Sequence, residues 1–158
     1  MNKLLGIVLY DLTLSLWVGG MAIFTFIVTP AIFRSFDRDM AGRVVGALFS
    51  GYFFYNLALA VIAFILVFVV WPDRAQTACK VSLLLIACAI AVNLYISFKL
   101  YPDIVEVKRQ VASFENTPKD SPLRKQFTRM HAVSAILNLL LLADGVTLLV
   151  IRASKLNK

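Results

Sequence analysis

Histidine, cysteine and acidic side chains are scarce in this chain: one histidine, two cysteines and nine Asp and Glu among 158 residues. A single histidine, His131, cannot supply both axial ligands of a bis-histidine haem or a conventional zinc set. Any metal role for it needs Met, carboxylate, water or a second subunit as co-ligand. Cys79 and Cys88 sit too far apart along one apolar run to bridge each other, and read as small core residues rather than a redox or metal pair. There is no CxxC pair, HExxH motif, phosphate-binding glycine loop or nucleophile triad, so hydrolase and nucleotide chemistry have no support and no residue is assigned as catalytic. Alternating apolar and polar strand patterns are also missing.

What the chain has instead is long apolar runs, roughly Leu4–Val28, Gly46–Val70, Ala78–Phe98 and Ala132–Ile151. Each is near the ~20 residues that a helix needs to cross a ~30 Å hydrocarbon layer. In lipid every backbone N–H and C=O must be satisfied within its own segment, so four helices are expected. Hydrophobic residues make up 60%, mean hydropathy is +0.82, and the charges cluster between the runs. The reading is an all-α integral membrane protein, a four-helix antiparallel bundle forming one domain over residues 1–158. The first run is too long for a signal-peptide core and contains Asp11 and Trp17, so it is expected to remain as a span. A net charge of +7 is assigned to membrane anchoring rather than nucleic acid, because the basic residues gather at helix ends beside anionic headgroups.

Pro30 and the polar stretch Arg34–Asp39 are expected to end the first helix, with Asp37 or Asp39 capping the second. Trp71-Pro72-Asp73 is expected to close the second with an interfacial aromatic, a breaker and a cap for the third. Between helices three and four, residues 99–130 are charged, yet Ile104, Val107, Val111 and Phe114 recur at helical spacing, as do Leu123, Phe127 and Met130. This predicts a helical hairpin beyond the bilayer with its tip at Pro118–Pro122, Ser121 as N-cap and Pro122 as N1. Tyr101-Pro102 should bend the third helix. Ten of the 16 Lys and Arg fall on the hairpin side. The positive-inside rule then places the hairpin in the cytoplasm and both termini outside; the expected location is the inner membrane of a bacterium. The basic tail Arg152–Lys158 argues the other way.

Ionisable groups within spans are the first candidates for function, since each costs ~2.5–3.5 kcal/mol or more at a bilayer centre. Asp11 and Asp144 each lie about seven residues from the membrane end of their run, which puts both ~10 Å deep on the termini side. Facing each other they would form a proton or cation site. Otherwise each meets a hydroxyl or lies at a thinned membrane edge. On helix four His131, Ser134, Asn138 and Gly145 share one stripe, and Asp144 points away from it. Asn56 and Asn93 lie at comparable depth, so three amides are expected to meet inside the bundle, either as interhelical hydrogen-bond glue or as a polar ligand pocket opening toward His131. His131 is either an interfacial structural residue or a ligand and proton carrier. Trp17 shares one face of helix one with Tyr10, Thr13, Gly20 and Phe24, and completes the candidate ligand-binding set. Gly19-Gly20 and the Gly42/Gly46 pair are packing signals.

Trp17-x-Gly19-Gly20, Pro30-x-x-Phe33, Tyr101-Pro102 and Phe127-x-x-Met130-His131-x-x-Ser134-x-x-x-Asn138 resemble the transmembrane-protein-205-like family, a domain of unknown function. The residue before Pro102, often glycine in that family, is Tyr101 here. The resemblance implies four spans; the eukaryotic member it is named for is associated with platinum-drug resistance. The architecture is also similar to copper-resistance CopD-like proteins and to the HemJ-type membrane protoporphyrinogen oxidase, which implies copper or porphyrin handling as an analogy. Three functions stay open: a non-enzymatic protein binding or moving a small ligand or metal through a polar interior, a haem or porphyrin oxidoreductase-like protein using His131, and an accessory subunit of a membrane complex. The lipid bilayer is the certain partner. A homo-oligomer or a membrane-protein partner docking on the hairpin is the further expectation.

Overall fold

The computed structural model describes residues 2–71, 73–111 and 113–154. Pro72 and the tail Lys155–Lys158, read above as a breaker and as basic charge, lie outside them. Four helices are long and apolar enough to cross a membrane: α1 (Lys3–Ser35), α2 (Arg38–Val70), α3 (Thr77–Gln110) and α4 (Pro122–Ala153). No strand occurs among the described residues. Each helix packs on its neighbours in the cyclic order α1, α2, α3, α4 and back to α1, while the diagonal pairs make no close backbone approach. This is the up-down-up-down square that short connections dictate.

The core is written at helical spacing. Tyr10, Leu14, Trp17 and Met21 of α1 are buried, and α3 buries Cys79, Ser82, Ile86, Ala89, Asn93, Ile96 and Leu100, a strict three-and-four alternation. Such a seam gives knobs-into-holes packing between nearly antiparallel helices. Leu4, Val8, Leu12, Phe26, Ile65, Leu84 and Val150 point outward. In a membrane these apolar faces meet lipid tails at no solvation cost. Two threonine hydroxyls inside the spans return to their own helix: Thr13 donates to the Leu9 carbonyl at 2.7 Å, and Thr147 to that of Ala143 at 2.8 Å.

Two sequence expectations about helix ends need correcting. Pro30 does not end the first helix, which runs on to Ser35 and stops within the polar stretch. A widened π-turn at Phe24–Val28 precedes the proline, and Thr29 gives its N–H to the Phe24 carbonyl five residues back. The same device precedes Pro102, with a π-turn at Ile96–Leu100 and the Tyr101 N–H on the Ile96 carbonyl. A proline ring displaces the carbonyl four residues before it, and one widened turn absorbs that conflict while the helix continues. At the start of α3, Gln76 rather than Asp73 holds the cap position, and Asp73 accepts the Ala75 N–H at 3.0 Å within the preceding turn. Trp71 closes α2 as its C-cap, with its N–H on the Val67 carbonyl at 2.9 Å, and its side chain is buried in the core.

Other expectations hold. Asp37 caps α2 through the Met40 N–H at 2.7 Å, and Ser121 caps α4 through the Arg124 N–H at 3.3 Å with Pro122 at N1. Ile104, Val107 and Val111 are buried against the bundle, and Phe114 packs on Phe127 with ring centroids 4.6 Å apart. The apolar stripe of the hairpin is therefore consumed by the molecule's own packing.

Candidate functional site

Asn138 on α4 accepts a hydrogen bond from the Tyr52 hydroxyl on α2 and donates to Thr25 Oγ1 on α1 at 2.9 Å. The Tyr52 contact crosses the diagonal of the square, between helices whose backbones do not touch. A long phenol makes that reach, and its ring is held by stacking on Phe24 at 4.3 Å and tilting against Phe53 at 5.6 Å. Three helices are thus tied at one depth by a chain of polar groups that lipid would leave unsatisfied.

The three amides do not meet one another by hydrogen bonding. Asn56 Nδ2 donates to the Tyr52 carbonyl and Asn93 Nδ2 to that of Ala89, each at 2.9 Å and each one turn back on its own helix. Their Oδ1 atoms are buried without a protein partner, as are Trp17 Nε1 and Ser82 Oγ. Buried polar atoms usually find partners, so this interior is unusually rich in groups able to recognise a polar ligand or water. Trp17, Asn56 and Asn93 are fully interior; Ser134 and Asn138 are half-buried; His131 is exposed. His131 stacks in parallel on Phe127 at 5.8 Å, at the aromatic base of the hairpin.

Beside this network lies an open groove of about 390 Å³ between α1 and α2, lined by Gly20, Ile23, Phe24, Gly51, Tyr52 and Tyr55 among others. Glycine at 20 is required by close approach: a Cβ there would lie 2.7 Å from the Tyr55 ring, whose hydroxyl donates to the Leu16 carbonyl at 2.6 Å. Gly51 faces open space. Tyr52 is the wall that connects this lipid-facing groove to Asn138.

The acidic layer has a different structure from a carboxylate pair. Asp11 is held by Arg152, with Nε at 2.8 Å from Oδ1 and Nη2 at 3.3 Å from Oδ2. Asp144 has both oxygens buried without a hydrogen-bond partner.

The hairpin end carries contacts that sequence reasoning missed. Asp39 accepts from the Ser113 hydroxyl at 2.6 Å and the Phe114 N–H at 2.8 Å, clamping the loop after α3 to the start of α2. These two hydrogen bonds hold its carboxyl below the ordinary carboxylate range. Lys108 Nζ donates to the Gly42 carbonyl and Tyr101 to that of Gly46 at 2.7 Å. The Gly42/Gly46 pair is thus a gap that admits side chains from α3. Burial pulls the Lys108 ammonium below its usual value. Tyr52 could have been read from the sequence, since it lies one turn before Asn56 on the same face; the long-range clamp at Asp39 left no local signal.

The family model described as a domain of unknown function (DUF4149) matches residues 12–113. The chain belongs to the DUF4149 family. The matched segment carries Thr25, Tyr52, Asn56, Asn93 and the Asp39–Ser113 clamp, and α4 follows it. No curated protein and no solved structure matches the chain.

Proposed function

We propose that this DUF4149 protein is a non-enzymatic membrane protein that takes a small amphipathic molecule from the lipid phase into the groove between α1 and α2 and holds or passes its polar end at Tyr52, Asn138 and Thr25. The observation that carries this reading is that one residue, Tyr52, both lines the lipid-facing groove and bonds the interior amide of Asn138. Ligand sites combine an apolar wall with a few convergent polar groups, and the unpartnered oxygens of Asn56 and Asn93 extend that polarity inward. The basic side chains of connections one and three support an inner-membrane orientation with the hairpin in the cytoplasm.

The porphyrin and copper alternatives rest on the resemblance to HemJ-type and CopD-like proteins, and the transmembrane-205-like reading remains a resemblance. A group ligated by His131 would lie beside Phe127. Among the described residues no three His, Cys, Asp or Glu side chains converge as a metal set, so these residues fit hydrogen-bonding recognition better than metal coordination. The accessory-subunit alternative has less support from the hairpin, whose apolar stripe is already packed.

Gly51→Leu tests the groove, because a side chain there meets no neighbour and fills the opening, while Gly19→Leu adds the same bulk with no neighbour and outside the groove lining. Lipophilic small molecules co-purifying with each protein are extracted and compared by mass spectrometry. A species retained by wild type and Gly19→Leu but lost from Gly51→Leu is the expected result. Identical extracts from all three reject the groove as the site.

A further inference from the structure

A second concavity lies at the hairpin end, an open cleft of about 520 Å³ lined by Arg38, Lys119, Arg124, Lys125, Arg129 and Ala132 among others, and by no carboxylate. Only one of the five cations is paired among the described residues: Lys125 meets Asp120 at 3.3 Å, and that aspartate is exposed. The arrangement is built rather than incidental. Arg124 donates to the Thr117 carbonyl and lies over the Phe114 ring at 5.9 Å, and Phe114 is fixed by Asp39, the neighbour of Arg38. The clamp that closes the hairpin therefore also brings the start of α2 to the basic face of α4.

Along α4 the chemistry changes with depth. Lys125, Arg129, Ala132 and Ile136 follow one another at spacings of four, three and four, so they form one stripe that passes from cation to methyl to exposed alkyl. Ala132 begins the apolar run of the fourth span. A phosphate bound by the arginines would have hydrocarbon directly below it, next to outward-facing Ile136 and Leu140.

We propose that this cleft binds the headgroup of an anionic phospholipid, with Arg38 and Arg129 contacting the phosphate and an acyl chain lying along Ile136 and Leu140. Guanidinium forks suit phosphate oxygens, and the axial change from charge to alkyl selects a lipid over a soluble anion. The site is separate from the groove at Tyr52 and does not depend on it.

The test uses the full chain purified in mild detergent, with binding of phosphatidylglycerol, phosphatidylcholine and inorganic phosphate measured by native mass spectrometry or fluorescence titration. Arg38 and Arg129 are exposed, so Arg38→Gln/Arg129→Gln should fold as wild type, verified by its thermal transition. The control, Lys99→Gln/Arg109→Gln, removes equal charge from the same end outside the cleft. Phosphatidylglycerol should bind wild type and the control alike, in preference to phosphatidylcholine, and bind the cleft variant about tenfold or more weakly. Equal losses in both variants would mean a diffuse field and overturn the site. Displacement of the lipid by inorganic phosphate at matched concentration would assign the cleft to a free anion and overturn the lipid reading, as would equal binding of the two lipids.

Discussion

Arg152 near the end of α4 grips both carboxylate oxygens of Asp11 near the start of α1, at 2.8 and 3.3 Å. The pair joins the two ends of the chain within one apolar layer, with the arginine side chain 10% exposed and the aspartate 38%. Asp144 has no such partner.

The two intramembrane acids should therefore respond oppositely to neutralisation. Asp11→Asn removes the countercharge of a largely buried guanidinium and should cost ~1–3 kcal/mol, less than a fully buried pair because the carboxylate is partly exposed. Asp144→Asn keeps shape without charge and should leave stability unchanged or raised. Thermal unfolding in detergent separates them; equal losses would contradict the Arg152 pairing. In a double-mutant cycle, Arg152→Met should cost little once Asp11→Asn is present.

Tyr52→Phe leaves Asn138 Oδ1 without its donor, and Asn138→Ala leaves the Tyr52 hydroxyl without its acceptor and Thr25 without its donor. Each should destabilise by about 1 kcal/mol, and together by less than the sum. Additive losses would show that the diagonal hydrogen bond does not contribute.

Asp39 gives the hairpin a pH dependence of fixed sign. Its folded pKa lies below the ordinary value of 3.8, so its clamp is fully present above that value and is lost as pH falls through the lowered one. Protection of the Phe114 amide, its exchange rate relative to an unstructured amide at the same pH, should hold at neutral and mildly acidic pH and fall only below about 3.8. Asp39→Ala, which has no acceptor, should show fast exchange throughout. A Phe114 amide that exchanges at the same rate in both proteins would refute the clamp.

Helix approach sets the tolerance of the glycines. A Cβ at Gly145 would lie 2.8 Å from Val18 Cγ2, whereas one at Gly19 meets nothing within 4 Å. Gly145→Val should force α1 and α4 apart and cost ~1–3 kcal/mol, while Gly19→Ala should be neutral or slightly stabilising through helix propensity. Equal melting temperatures for the two variants would argue against this contact.

The sequence alone determined the solvent, the helix count and much of the capping. Four runs near bilayer length leave helices as the only backbone that satisfies itself in lipid, and Asp37 and Ser121-Pro122 are local signals that act within one turn. Lone polar residues in apolar helices, Asp11, Asn56, Asn93 and Asn138, were legible as candidates because each costs free energy in lipid unless it finds a partner. The pairing of those groups was decided by tertiary structure. Whether Asn138 meets Asn93 or Tyr52, and whether Asp11 meets Asp144 or Arg152, depends on helix rotation and side-chain reach, and hydropathy carries neither. The prolines make the same point: Pro30 read as a stop and Pro102 as a bend, yet a π-turn before each lets the helix run on, because packing against neighbouring helices stabilises a continuous rod more than the widened turn costs.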